Sequence, residues 1–168
     1  MAKILSSKKG ISGVITVVLM IALVMAAAAI VWGIVNSTLK DQVEGAKSCF
    51  GNFNKVTINP IYTCYDSTAK TVQFSLSIGD IDVDEVLVGI SSAGASGSYT
   101  LTNTDQQGIG LTLYPSGGEV KLPGKNAGLT YVASGYTSKP DLIQIIPVIA
   151  GQQCEVSDTI SGIESCLL

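Results

Sequence analysis

Between Ile11 and Leu39 the chain carries no charged side chain, and from Val14 to Val35 only Thr16 and Gly33 interrupt an apolar run of 22 residues. As a helix rising 1.5 Å per residue, such a run is about 33 Å long, close to the hydrocarbon thickness of a bilayer. The run is too long for the internal helix of a soluble domain of this size, and it sets the organisation of everything around it. Lys3, Lys8 and Lys9 precede it, whereas Lys40 and Lys47 are balanced by Asp41 and Glu44. The positive-inside rule therefore puts the first ten residues in the cytoplasm and the chain beyond about residue 40 outside. Trp32, Val35, Leu39, Val43 and Ala46 recur three and four residues apart, so the helix is expected to continue past the bilayer. Its second part reads as amphipathic, with Lys40 and Glu44 four apart beside the stripe and the apolar face docked on the next domain. Gly51 and Asn52 mark its exit.

Beyond Lys55 the pattern changes to short alternating segments separated by Gly, Ser, Asn, Asp and Pro. Val72, Phe74, Leu76 and Ile78 alternate with Gln73, Ser75 and Ser77, the period of a strand with one buried face. Similar segments hold Val56 and Ile58; Val86, Val88 and Ile90; Tyr99 and Leu101; Ile109, Leu111 and Leu113; Val120 and Leu122; and Leu129, Tyr131 and Ala133. The continuous apolar run Leu142–Ala150 reads as a strand buried on both faces, with Pro147 demanding an edge, bulge or bend. About eight such strands with frequent turns predict a small sandwich or barrel. The expected fold class is α+β: a long N-terminal hydrophobic α-helix followed by an all-β sandwich-like domain.

Composition narrows the chemistry. All ten basic residues are lysines against 13 acidic ones, which leaves no basic surface for nucleic acid. Histidine is absent, so Ser-His-Asp and Cys-His arrangements cannot be built, and no carboxylate dyad stands out. We expect no enzyme, no cofactor and no metal. Cys49, Cys64, Cys154 and Cys166 lack the spacing of a zinc set and suggest two disulfides formed in an oxidising compartment. The local connectivity, Cys49 with Cys64 and Cys154 with Cys166, is expected among the three possible.

Four short motifs have simpler structural readings. Ser67-Thr68-Ala69-Lys70 has the Ser-x-x-Lys spacing of some nucleophiles but comes after Asp66 between two strands, where a turn is expected. Asp80, Asp82 and Asp84 open like a calcium loop, yet Glu85 and Ser91 occupy positions where that loop needs Gly and Glu. Asn36-Ser37-Thr38 fits a glycosylation sequon but falls within the helix. Ala22, Ala26, Ala29 and Gly33 lie at offsets of four, seven and eleven, a narrow stripe of small residues along which helix backbones can approach closely.

The junction Lys8-Lys9-Gly10, followed by Ile11-Ser12-Gly13 and the apolar helix, resembles the class III signal of type IV pilin-like proteins, above all archaeal pilins and archaellins. The resemblance covers about the first 47 residues. It implies that a prepilin peptidase cuts between Gly10 and Ile11, giving a leader at 1–10, a transmembrane and filament-core helix at 11–47 and an extracellular β-domain at 48–168. Bacterial type IV pilins usually carry Glu at the fifth mature position; here that residue is Ile15, which favours the archaeal branch.

The implied function is a structural subunit of an archaeal type IV pilus-like filament. It would be membrane-inserted before assembly, self-associating afterwards, and handled by the pilus assembly machinery. An archaellum subunit is the near alternative within the family. A β-domain binding module on a permanent single-pass anchor, an exported enzyme, and a chain released by ordinary signal cleavage near Ala26–Ala29 are the rivals outside it.

Overall fold

The structure, a computed structural model, describes residues 9–52, 54–93 and 95–166. Most of the expected leader, Met1 to Lys8, lies outside the described residues. The chain divides into one unit ending at Glu44 and another beginning at Gly45. The first is built on α1 (Lys9–Cys49), 41 residues of helix whose last turn belongs to the second unit. Proline is absent from α1, and in apolar surroundings a helix is the conformation that satisfies every backbone amide within the segment. The helix ends where the Asn52 amide returns to the Cys49 carbonyl at 3.2 Å and Gly51 takes a φ of 137°, which side chains rarely adopt. The sequence places the exit at these same residues.

The second unit holds ten strands among the described residues: β1 (Val56–Asp66), β2 (Thr71–Ile78), β3 (Glu85–Ser92), β4 (Ala95–Thr102), β5 (Leu111–Leu113), β6 (Ala127–Ser134), β7 (Pro140–Ile149), β8 (Gln152–Gln153), β9 (Asp158–Ser161) and β10 (Glu164–Ser165). One sheet runs β10-β1-β2-β6-β5, the other β4-β3-β7-β8, with β9 also on β7. All pairs are antiparallel except β1 with β10. Val72, Phe74, Leu76, Tyr131 and Ala133 from the first sheet share one buried cluster with Val86, Val88, Ile90, Leu101, Ile143 and Ile145 from the second. Two sheets with a common apolar interior form a sandwich. The fold is α+β, as expected.

Polar groups drawn into this core are paired. Phe74 and Tyr131 face each other across β2 and β6 with ring centroids 5.4 Å apart, and the Tyr131 hydroxyl donates to the Lys121 carbonyl at 2.6 Å. The Tyr65 hydroxyl donates to the Tyr136 carbonyl at 2.9 Å. Buried Thr63 donates to the Asn59 carbonyl at 2.7 Å inside the irregular stretch where β1 leaves register between Asn59 and Cys64. No buried side-chain nitrogen or oxygen among the described residues lacks a partner.

Pro147 is accommodated by an interruption in the outer edge. The carbonyls of Ile145 and Pro147 accept from Ser157 and Cys154 at 2.9 Å each, so both face away from β3. A residue's amide and carbonyl point to the same side of a strand, which puts the Pro147 nitrogen in the gap between β9 and β8, where no ladder bond is lost.

Two expectations change. Val120 and Leu122 are buried, but they form no strand: Val120 makes an isolated bridge to Gln106. The C-terminal strands β8, β9 and β10 lack the alternation that betrays a strand. They tie the sandwich along one side: the Asp158 carboxylate accepts from the Ile58 amide at 2.9 Å, Ser157 Oγ donates to the Val56 carbonyl at 2.8 Å, and Ile163 enters the core as the chain passes from β9 to β10.

The disulfides are Cys49–Cys154 and Cys64–Cys166, which corrects the local pairing expected from sequence. Strand geometry is the reason. β1 places Cys64 opposite Gln73, five β2 residues or about 17 Å along from Ile78, the partner of Val56; that is away from the helix exit, and β10 lies beside it with Cys64 opposite Glu164. Cys166 comes directly after β10, its amide donating to the Tyr65 carbonyl at 3.0 Å.

Candidate functional site

The segment of α1 from Gly13 to Lys40, 28 residues, is long and apolar enough to cross a membrane, and none of its most apolar stretch is buried within the chain. Leu19, Met20, Ile21 and Ala22 succeed one another around the helix, and every one is exposed, so no face of this turn is polar. An isolated chain in water would leave this surface uncovered, at a cost of roughly 25 cal/mol for each Å². Where the apolar stretch ends, Ser37 and Thr38 each donate a hydroxyl hydrogen bond to the Ile34 carbonyl at 2.9 Å. Their polar groups are thus satisfied by the helix itself. Asn36 is exposed within the same helix.

Ala22, Ala26, Ala29 and Gly33 all lie in this helix, and at about 100° per residue they occupy a wedge about 60° wide. Glycine within a helix costs about 1 kcal/mol relative to alanine. At Gly33 an added Cβ would meet nothing within 4 Å, so no contact inside this chain requires it. Gly10 and Ile11 fall in the first turn, their side chains outside the described ones. The stripe expected to dock, Trp32, Val35, Leu39 and Val43, lies on α1 within the first unit.

No family model, curated protein or solved structure matches this chain.

The remaining motifs resolve into structure. Ser67 and Lys70 sit in the exposed β1–β2 turn, where the Asp66 carboxylate accepts from the amides of Thr68 and Ala69 at 2.8 and 2.9 Å. The aspartates of the calcium-like run diverge. Asp82 pairs with Lys125 at 2.8 Å, holding that ammonium above its ordinary pKa, and Asp84 accepts from the Gly151 amide at 2.9 Å. Among the described residues no group of three or more His, Cys, Asp or Glu is arranged to hold a metal ion. Burial raises the pKa values of Tyr131 and Tyr136 well above 10.0, and the 3.0 Å hydrogen bond to Tyr99 adds to the shift at Tyr136.

One feature escaped the sequence reading, a groove of about 720 Å³ beside the Cys64–Cys166 disulfide. Its walls include Ile61, Tyr62 and Tyr114, all exposed, together with Gln73 and Glu164. The signal was Asn59-Pro60, where β1 loses its alternation.

Proposed function

We propose that this chain is a structural subunit of an archaeal type IV pilus-like surface filament, assembled through its N-terminal helix. The observation that carries the proposal is a helix apolar on every face, none of whose membrane-length core is covered by its own chain. Such a helix is stable only in lipid or among other apolar surfaces. The proposed sequence of states uses both. The precursor rests in the membrane with its N-terminus in the cytoplasm, a prepilin peptidase cuts between Gly10 and Ile11, and the assembly machinery transfers the helix into a bundle of its copies with the β-domains outside. Gly33, where an added Cβ would meet nothing within 4 Å, is suited to close approach by a neighbouring helix.

The disulfides support an extracellular position for the β-domain. The groove beside Cys64–Cys166 favours a second reading, a binding module displayed by a permanent anchor. N-terminal sequencing of the surface form, with electron microscopy of the same material, separates the two. The filament reading expects a start at Ile11 and recovery of the chain in filaments. Intact Met1 without filaments supports the anchored module, and a start within Ala26–Ile30 means ordinary signal cleavage; either result overturns the filament proposal.

A further inference from the structure

The outer strands of a sheet leave unpaired backbone amides and carbonyls, and folded proteins blunt such edges with charge, proline, bulges or brevity. Most outer strands of this sandwich are short: β5 has three residues, β8 and β10 two each, and β9 four. Cys154 directly follows β8 and Cys166 directly follows β10, so disulfides also hold two of them. β4 differs on each count. It has eight residues, lies outermost in its sheet and keeps unbroken register with β3 from Glu85↔Thr102 to Ser92↔Ala95. Its sequence, Ala-Ser-Gly-Ser-Tyr-Thr-Leu-Thr, contains neither charge nor proline.

Two independent sets of hydrogen bonds fix which of its residues face outward. The Thr102 amide donates to Gln106 Oε1 at 3.0 Å and the Thr102 carbonyl accepts from the Leu122 amide at 2.9 Å, so Thr102 points away from β3. Across the sheet, Ile145 and Pro147 face the far side of β7, which turns their partners Val88 and Val86 toward β4. The bonded pairs between β3 and β4 are therefore Val86 with Leu101 and Val88 with Tyr99. By alternation the amides and carbonyls of Ser96, Ser98 and Thr100 point outward, and no described residue pairs with them. Their side chains are exposed, while Leu101 is buried.

We infer that β4 is a pairing edge whose partner is β4 of a second copy of this chain, antiparallel across a two-fold axis at Ser98. This register sets Ser98 opposite Ser98 and Ser96 opposite Thr100, so every outward amide meets an outward carbonyl. The side chains select the occupant. A foreign strand is recognised through pockets for its alternate side chains, and Ser96, Ser98 and Thr100 are small hydroxyl residues on the solvent face that form none. Facing themselves, they bring no like charges together. A two-fold pair cannot relate subunits repeated along one polar helical filament. On the filament reading, on which only this step rests, β4 joins subunits of two neighbouring filaments.

Cysteine cross-linking of the full chain in detergent, diluted below one chain per micelle, tests the pairing. Residues opposed in a bonded antiparallel pair have Cα atoms about 5.5 Å apart, within disulfide reach. Ser98→Cys should become mostly covalent dimer on mild oxidation. Ser96→Cys alone should stay mostly monomeric, as should Thr100→Cys, whereas a mixture of the two should cross-link. Peptide mapping confirms that the native disulfides are intact. The pairing is overturned if Ser98→Cys stays monomeric, and also if all three variants cross-link equally, which is random collision. Adding Val24→Lys, which blocks helix-driven assembly, should leave the Ser98→Cys dimer unchanged, so a failed filament proposal and a failed β4 pairing give different results.

Discussion

The two regions of this molecule are both rich in apolar residues and use them in opposite ways. In α1 the apolar side chains surround the helix and are exposed, Leu23 by 72%. In the β-domain they alternate with polar ones, and Phe74, Leu76, Val86 and Tyr131 are wholly buried. Apolar content alone does not say where burial will come from; its period does. A period of two directs one face inward and closes a core within the chain. An apolar surface on all sides directs nothing inward and requires lipid or other chains.

Changes in one region should therefore leave the other untouched. The largest effect is expected from Val24→Lys, which places a charge where only apolar surroundings are available. Filaments should disappear while the unfolding midpoint of the β-domain stays the same. Surface labelling must show that the variant is still exported, and a shifted midpoint would break the separation.

Next in size are the disulfides. Each closes a loop of more than 100 residues, with separations of 105 and 102. Replacing Cys64 and Cys166 by Ser should cost about 4 kcal/mol in urea unfolding under non-reducing conditions. Helix content in detergent should not change.

Core truncation sharpens the comparison further. Phe74→Ala removes a fully buried ring stacked on Tyr131 and should destabilise the β-domain by about 3 kcal/mol. Leu23→Ala, which removes three apolar carbons from α1 where Phe74→Ala removes six, should change the same midpoint by less than about 0.5 kcal/mol. Equal effects would mean that the helix forms part of the domain's own core.

The smallest expected effect is alkaline. Burial raises the Tyr131 pKa above its ordinary 10.0, so the hydroxyl stays protonated in the folded domain at a pH where the unfolded chain ionises. The stability this protects is fully present below pH 10.0 and is lost as pH rises through the folded value. The slope is about 1.4 kcal/mol per pH unit in that window. Tyr131→Phe should remove this share of the slope and leave that of Tyr136, as read from unfolding midpoints between neutral pH and pH 11.

How much of this was legible in the sequence differs between the regions for the same reason. The helix, its exit at Gly51 and the strands with clear alternation, such as Val72–Ile78, are written in local periodicity. Val120 and Leu122 mimic a strand because burial of alternate residues does not require a ladder. The strands β8 to β10 and the crossed disulfides depend on which distant segments lie side by side. No local pattern around Cys49 encodes its pairing with Cys154. The outward edge of β4 likewise appears only once strand order is known. The groove beside Cys64 needs both the β1 irregularity and the C-terminal crossing from β9 to β10. Of the proposed site, the small-residue stripe is fully visible in the sequence.

Electron microscopy of the chain and of a shortened form beginning at Lys47, which keeps Cys49 and the whole β-domain, shows which region drives assembly. The processed full chain should form filaments, and the shortened form should be soluble and folded and form none, at most pairing through β4. Filaments built by the shortened form would contradict this, because assembly would then lie in the β-domain and the apolar helix would be an anchor alone.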